Sequence, residues 1–256
     1  MYGLRMAQGF AALGFLLILF ILLPLASLTV GTSPREVIKY GFDSEALSAL
    51  YIGISASLLA TVILMALGIP LAYVLAKREF RGRELIKALI DLPLIIPHGV
   101  AGIALLVAYN SRTMIGSLLT NLGLKLEDSF WGIVAVMAFV SAPLMVDSLI
   151  DGFLGVDVNL EYVARSLGAS ESTTFWKVTM PLASRSLITG SLLSWARGMS
   201  EVGALLIVAY YPKSINVLIM ERFWTYGLKV AKATALPLLV ISLASFVAIR
   251  RFSRRV

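Results

Sequence analysis

Six stretches of this chain are each long and apolar enough to carry a helix through the hydrocarbon of a bilayer, which takes about 20 residues. They cover residues 9–30, 46–76, 85–109, 130–150, 187–210 and 228–249. The third is interrupted by Pro93 and Pro97. A backbone in lipid must satisfy its hydrogen bonds internally, so such stretches predict helices. The expected fold is all-α, a polytopic membrane protein with six transmembrane helices. The first stretch exceeds the core of a secretory signal and reads as a retained span.

Composition agrees with a lipid solvent. Of 256 residues 59% are hydrophobic and 14% charged, against about 25% charged in a soluble domain. No cysteine is present and His98 is the single histidine. That inventory excludes disulfides, thiolate catalysis and Cys or His metal clusters, and neither a catalytic nor a metal-binding residue is assigned. The net charge of +7 reads as membrane topology and not as nucleic-acid binding. Its densest clusters, KREFRGRELIK at 77–87 and RRFSRR at 250–255, fall on one side of a six-span arrangement, as does Arg5. Basic residues favour the cytoplasmic side, so both termini are expected there, in the plasma membrane. No internal repeat or soluble domain interrupts residues 1–256, which read as one transmembrane domain.

Between the fourth and fifth stretches lies a polar segment, about 152–184, longer than a connection requires. Asp157 or Asn159 can cap a helix start. Leu160, Val163, Ala164 and Leu167 follow at helical spacing. Gly168 interrupts, Ser170 is a second possible cap, and Pro181 is expected to end the segment. Two short helices meeting near Gly168 are predicted, with Ala164, Gly168 and Ala169 small enough for close approach of a partner.

The run EYVARSLGASESTTFWKVTMP, Glu161 to Pro181, resembles the EAA loop of permease subunits of ATP-binding cassette importers. Ala164 matches the loop's second alanine. Gly168 stands at the expected distance, and Val178, Met180 and Pro181 match its aliphatic-x-aliphatic-proline close. Tyr162 occupies the position where the family carries glutamate, with Glu161 one residue earlier, and Val163 replaces the first alanine. The resemblance extends from the second stretch to the sixth. It implies that the segment is a coupling loop seated on an ATPase subunit, with Glu161, Tyr162, Ala164, Arg165, Gly168, Ala169 and Pro181 as its characteristic residues.

Polar groups within the apolar stretches are the other candidates, since ionisable residues in a membrane face a cavity or a partner. In WARGMSEVGALL, Arg197 and Glu201 are four apart and can pair, either as a structural ion pair or within a pathway. Ser200 lies beside them. In DLPLIIPHG, Pro93 and Pro97 each remove a backbone donor and bend the helix. His98 follows, either lining a pathway or satisfied near the bend. The ARGxSExGA block resembles the corresponding span of permeases for molybdate, tungstate, sulfate and thiosulfate, with Val202 in place of the usual aromatic.

No GxxxxGK[ST] phosphate loop occurs in the chain, so ATP and Mg are expected on a separate ATPase, with no cofactor on this polypeptide. The resemblance implies a homodimer coupled to two ATPase subunits. It also implies an extracytoplasmic oxyanion-binding protein that captures substrate, with membrane lipid around the spans and no nucleic acid. Molybdate or tungstate is the expected substrate, with sulfate or thiosulfate as the rival. An ion-coupled secondary transporter is the alternative from another class; it would call for inverted repeats, and none is visible.

Overall fold

The computed structural model describes residues 2–253, with side chains for 9–244, 246 and 247. Arg5 and the basic tail at 250–255 lie outside the described side chains. All regular structure among the described residues is helical. The order begins α1 (Tyr2–Ser27), α2 (Pro34–Gly41), α3 (Ser44–Lys77), α4 (Arg83–Ile95), α5 (His98–Tyr109), α6 (Met114–Asn121) and α7 (Phe130–Leu154). It continues with α8 (Val158–Ser166), α9 (Glu171–Thr174), a π-helical turn (Phe175–Thr179), α10 (Met180–Leu182), α11 (Ser184–Met199), α12 (Leu205–Val208), α13 (Ile215–Tyr226) and α14 (Leu228–Ser253).

Three described segments are long and apolar enough to cross a membrane: Gly9–Ser27, Ser44–Lys77 and Phe130–Leu154. A fourth arises if α4 and α5 form one broken span, for they meet at an angle of 118°. The break falls at Pro97, whose extended backbone precedes α5, while Pro93 is buried inside α4 without ending it. The fifth expected stretch behaves differently. Its helix α11 stops at Met199 after 16 residues, about 24 Å, and the remainder to residue 210 is turns and the short α12.

The chain divides into two compact units. The first comprises Met1–Leu47 with Ile219–Ile241. Ser33 begins α2 with a reciprocal capping box, its hydroxyl accepting from Glu36 N–H and the Glu36 carboxylate accepting from Ser33 N–H. The buried Arg222 guanidinium donates to the Tyr40 carbonyl and to Thr234 Oγ1, and pairs with Asp43 (2.8 Å) and Glu45 (3.0 Å). The aliphatic surface of α1 stays exposed from Phe10 to Leu25, which suits a helix facing lipid.

The second unit comprises Ser48–Leu218 with Ser242–Val256. Its core has two regions. In one, Ala56 and Ala60 of α3, Ala101 and Leu105 of α5, and Leu205 and Val208 of α12 surround Ile133, Val136 and Met137 of α7. In the other, Ala72 and Leu75 of α3 pack on Met145, Leu149 and Phe153 of α7. Helices α7 and α11 meet through small residues: a Cβ on Gly190 would lie 2.9 Å from Ser148 Cβ, and one on Gly198 3.3 Å from Met137 Cβ. Apolar surface gains little from leaving lipid, so close van der Waals packing of this kind holds the helices together.

Candidate functional site

Two constellations stand out in the second unit. The first is the elbow between α7 and α11. Asp157 caps α8, accepting from the N–H of Asn159. At the other end, Gly168 N–H donates to Arg165 O (3.0 Å) and Ala169 N–H to Ala164 O (3.1 Å). That pair of bonds is a Schellman closure, which requires a left-handed residue after the helix; Gly168 supplies it at φ +91°. The space around its α-carbon is open. The glycine is therefore required by the backbone of the elbow itself, before any partner is considered. Ser170 caps the next turn, accepting from Thr173 N–H. The two short helices meeting at Gly168 are thus present.

The end of the elbow departs from the sequence reading. Pro181 lies in the first turn of α10, where its missing N–H is harmless, and the chain continues into α11.

Glu161 turns inward. Its Oε1 accepts from the Thr179 hydroxyl (2.8 Å) and pairs with Lys77 Nζ (3.2 Å). Lys77 also donates to the Val156 carbonyl (3.3 Å). One carboxylate thereby fastens α8 to the end of α3 and to the π-helical turn. Arg165 pairs with Glu171 across the kink (3.3 Å). Tyr162 is exposed, and Ala164 and Ala169 are half-buried. Phe175 anchors the π-helical turn edge-on to Tyr73, at 4.9 Å between ring centres, with Phe153 beside it. On the opposite side of α8, Leu160, Val163 and Leu167 are exposed, Leu167 at 84%.

The second constellation joins three residues that the sequence left apart. Glu201 is fully buried at the break after α11. Its Oε2 lies 3.0 Å from Arg197 Nη1 and 2.7 Å from His98 Nδ1, and its Oε1 accepts from Ala204 N–H at 2.9 Å. His98 Nε2 is 3.2 Å from Arg197 Nη2. A guanidinium only donates, so Nε2 accepts and the imidazole proton sits on Nδ1, facing the carboxylate. The i,i+4 pair read from the sequence exists, and His98 completes it. Ser200 is exposed and donates to the Arg197 carbonyl at 2.9 Å. Pro97 places His98 at the start of α5, whereas Pro93 is buried on α4.

Gly203 makes the approach possible, since a Cβ there would fall 2.8 Å from His98 Cβ. Asn216 escaped the sequence reading. Its amide donates to the carbonyls of Met199 (2.6 Å) and Glu201 (3.1 Å), satisfying the broken end of α11. The signal was a polar amide next to an apolar run, too common to single out. Lys77 and Thr179, the partners of Glu161, carried no signal beyond charge and polarity.

Comparison with known proteins places these features in a family. The model described as the binding-protein-dependent transport system inner membrane component matches residues 68–256. A molybdate/tungstate transport system permease protein of Pyrococcus furiosus is 44% identical over 255 residues, covering 96% of this chain and 94% of the relative. A probable sulfate transport system permease protein of Chlorokybus atmophyticus is 34% identical over 205 residues, covering 78% of this chain and 72% of the relative. Among solved structures, a bacterial ABC transporter involved in the import of the acidic polysaccharide alginate aligns with a TM-score of 0.73 at 16% identity, over 96% of this chain and 95% of that one.

Proposed function

The chain belongs to the family of binding-protein-dependent transport system inner membrane components, the permease subunits of ATP-driven importers, and we propose that it forms the translocation pathway of an importer for molybdate or tungstate. The substrate follows the relatives: 44% identity to a molybdate/tungstate permease against 34% to a sulfate permease. Two copies of the chain enclose the pathway, each with six spans and both termini in the cytoplasm. They work with two ATPase subunits, which hold ATP and Mg, and with an extracytoplasmic binding protein that delivers the oxyanion.

The observation that carries this reading is the two-sided helix α8. One side is pinned to the membrane helices through Glu161 and Lys77, while Leu160, Val163 and Leu167 remain bare on the other. An apolar patch left open on an amphipathic helix that is itself rigidly tied to the spans is suited to receive motion from a partner and pass it on. Closure of the ATPase pair draws the two elbows together and rocks the spans outward; hydrolysis returns them.

The pathway needs no tight site, because transport requires release as well as entry. Arg197 is neutralised by Glu201 and held by His98, so it is not a bare cation that would trap a divalent anion.

The test is uptake of labelled molybdate by vesicles containing this chain, its ATPase and its binding protein. Uptake should require ATP, survive collapse of ion gradients, and be displaced by tungstate before sulfate. Sulfate displacing first would move the substrate to the rival class. Uptake that follows an ion gradient without ATP would identify a secondary transporter. Leu167→Glu should release the ATPase on purification.

A further inference from the structure

A cavity of about 770 Å³ lies between the C-terminal half of α3 and the elbow. It is as large as many small-molecule sites. It is not the bare docking side of α8. Val158, Glu161, Tyr162 and Arg165 line it, and their spacing puts them on one face, while Leu160, Val163 and Leu167 occupy another.

The lining changes character along α3. Ala66, Ile69, Pro70 and Val74 form an apolar wall, and Lys77 and Arg78 close its end. With 34 residues, α3 is about 51 Å long, well beyond the roughly 30 Å of hydrocarbon. That length lets its basic last turn reach the headgroup level, with the apolar wall on the acyl side of it. Trp176 lines the cavity and is exposed, as suits an aromatic at a membrane interface. Of the cations there, Lys77 is paired with Glu161 and Arg165 with Glu171. Arg78 is exposed and has no ion-pair partner among the described residues.

We propose that this cavity binds an anionic membrane phospholipid, with a hydrocarbon chain against Ala66, Ile69, Pro70 and Val74 and the phosphate on Arg78. Charge complementarity and the apolar-to-basic gradient along a membrane helix select this occupant. A free nucleotide or phosphate would leave the apolar wall wet. Because Glu161 and Tyr162 belong to both the cavity wall and α8, the bound lipid braces the elbow from behind. The inference requires that α3 crosses the bilayer, and not that α8 docks an ATPase.

The experiment uses the full chain with its ATPase in nanodiscs, reading the fluorescence of Trp176 as the difference between the wild type and Trp176→Phe. Phosphatidylglycerol or phosphatidylcholine, carrying the same brominated chains, is titrated as quencher. Phosphatidylglycerol should quench at about fivefold lower mole fraction, the preference that one cation near the membrane surface supplies. Arg78→Gln should erase that preference, and Ala66→Phe should reduce quenching by both lipids. Equal quenching by the two headgroups, a preference that survives Arg78→Gln, or a Trp176 shielded from both by a second copy or the ATPase would overturn the proposal. Retention of the ATPase is measured on the same sample, so failure of the coupling reading and failure of the lipid site appear separately.

Discussion

His98 Nδ1 lies 2.7 Å from Glu201 Oε2, an imidazole at the start of one helix meeting a fully buried carboxylate at the broken end of another. Arg197 approaches the same oxygen at 3.0 Å. Removing one member of a buried ion pair costs roughly 3–5 kcal/mol, whereas replacing both by apolar groups is often neutral. Glu201→Gln should therefore lower thermal stability in mild detergent, and adding Arg197→Met to Glu201→Gln, which removes the second charge and keeps an acceptor for Ala204 N–H, should recover most of the loss. A double variant no more stable than the single would show that uncompensated charge is not the cause.

This site also marks how far the sequence could be read. Arg197 and Glu201 were legible as a pair because helical periodicity is local. His98 was visible as a polar residue beside Pro97, but its partner depends on the 118° turn after α4 and on the room left by Gly203, which are tertiary facts. The early end of α11 at Met199 was hidden for a related reason. Leu205 and Leu206 continue the apolar run, while Glu201 accepts from Ala204 N–H and Asn216 takes the freed carbonyls. In the elbow, the second cap and the kink were legible from Ser170 and Gly168, while the first cap lay between Asp157 and Asn159 until the structure showed Asp157 accepting from Asn159 N–H. The inward turn of Glu161 was not, since nothing local distinguishes a buried carboxylate from a solvated one.

The kink gives a sharper test. Gly168 has φ +91°, a conformation that costs a residue bearing a Cβ about 1–2 kcal/mol. Gly168→Ala should weaken the Schellman closure without any clash, because the space around the α-carbon is open. Faster amide exchange at Gly168 and Ala169, the two donors of that closure, should report it. Gly168→Asn should do less harm, since Asn tolerates the left-handed region. Unchanged exchange in the alanine variant would remove the backbone explanation for this glycine.

The fastening of α8 rests on Thr179, fully buried and 2.8 Å from Glu161 Oε1. A hydrogen bond to a charged group contributes about 1.5–3 kcal/mol. Thr179→Val keeps the shape and removes the donor. It should loosen residues 158–166 in hydrogen exchange and reduce the uptake obtained per ATP hydrolysed. Glu161→Gln should add only the loss of its pairing with Lys77, because the contact with Thr179 is already gone and the two effects should not fully sum. Fully additive losses would separate the carboxylate from the hydroxyl.

Acid should act on α2 through Glu36. The Lys229 ammonium, 2.6 Å from Glu36 Oε1, and the Ser33 N–H, 3.0 Å from Oε2, hold its carboxylate well below the ordinary range, at about 2 instead of 4.5. A carboxyl with a depressed folded pKa releases its proton more readily in the folded state, so its contribution is complete above the unfolded value and is lost as pH falls through the folded one. The loss should therefore run from pH about 4.5 down to about 2. Glu36 is half-buried but its partner Lys229 is exposed, so the effect should shrink with added salt. Amide protection of residues 34–41, compared between the wild type and Glu36→Gln at each pH, measures it. The two should differ at neutral pH and converge near pH 2, and a gap that stays constant across that range would remove Glu36 as the acid-sensitive group.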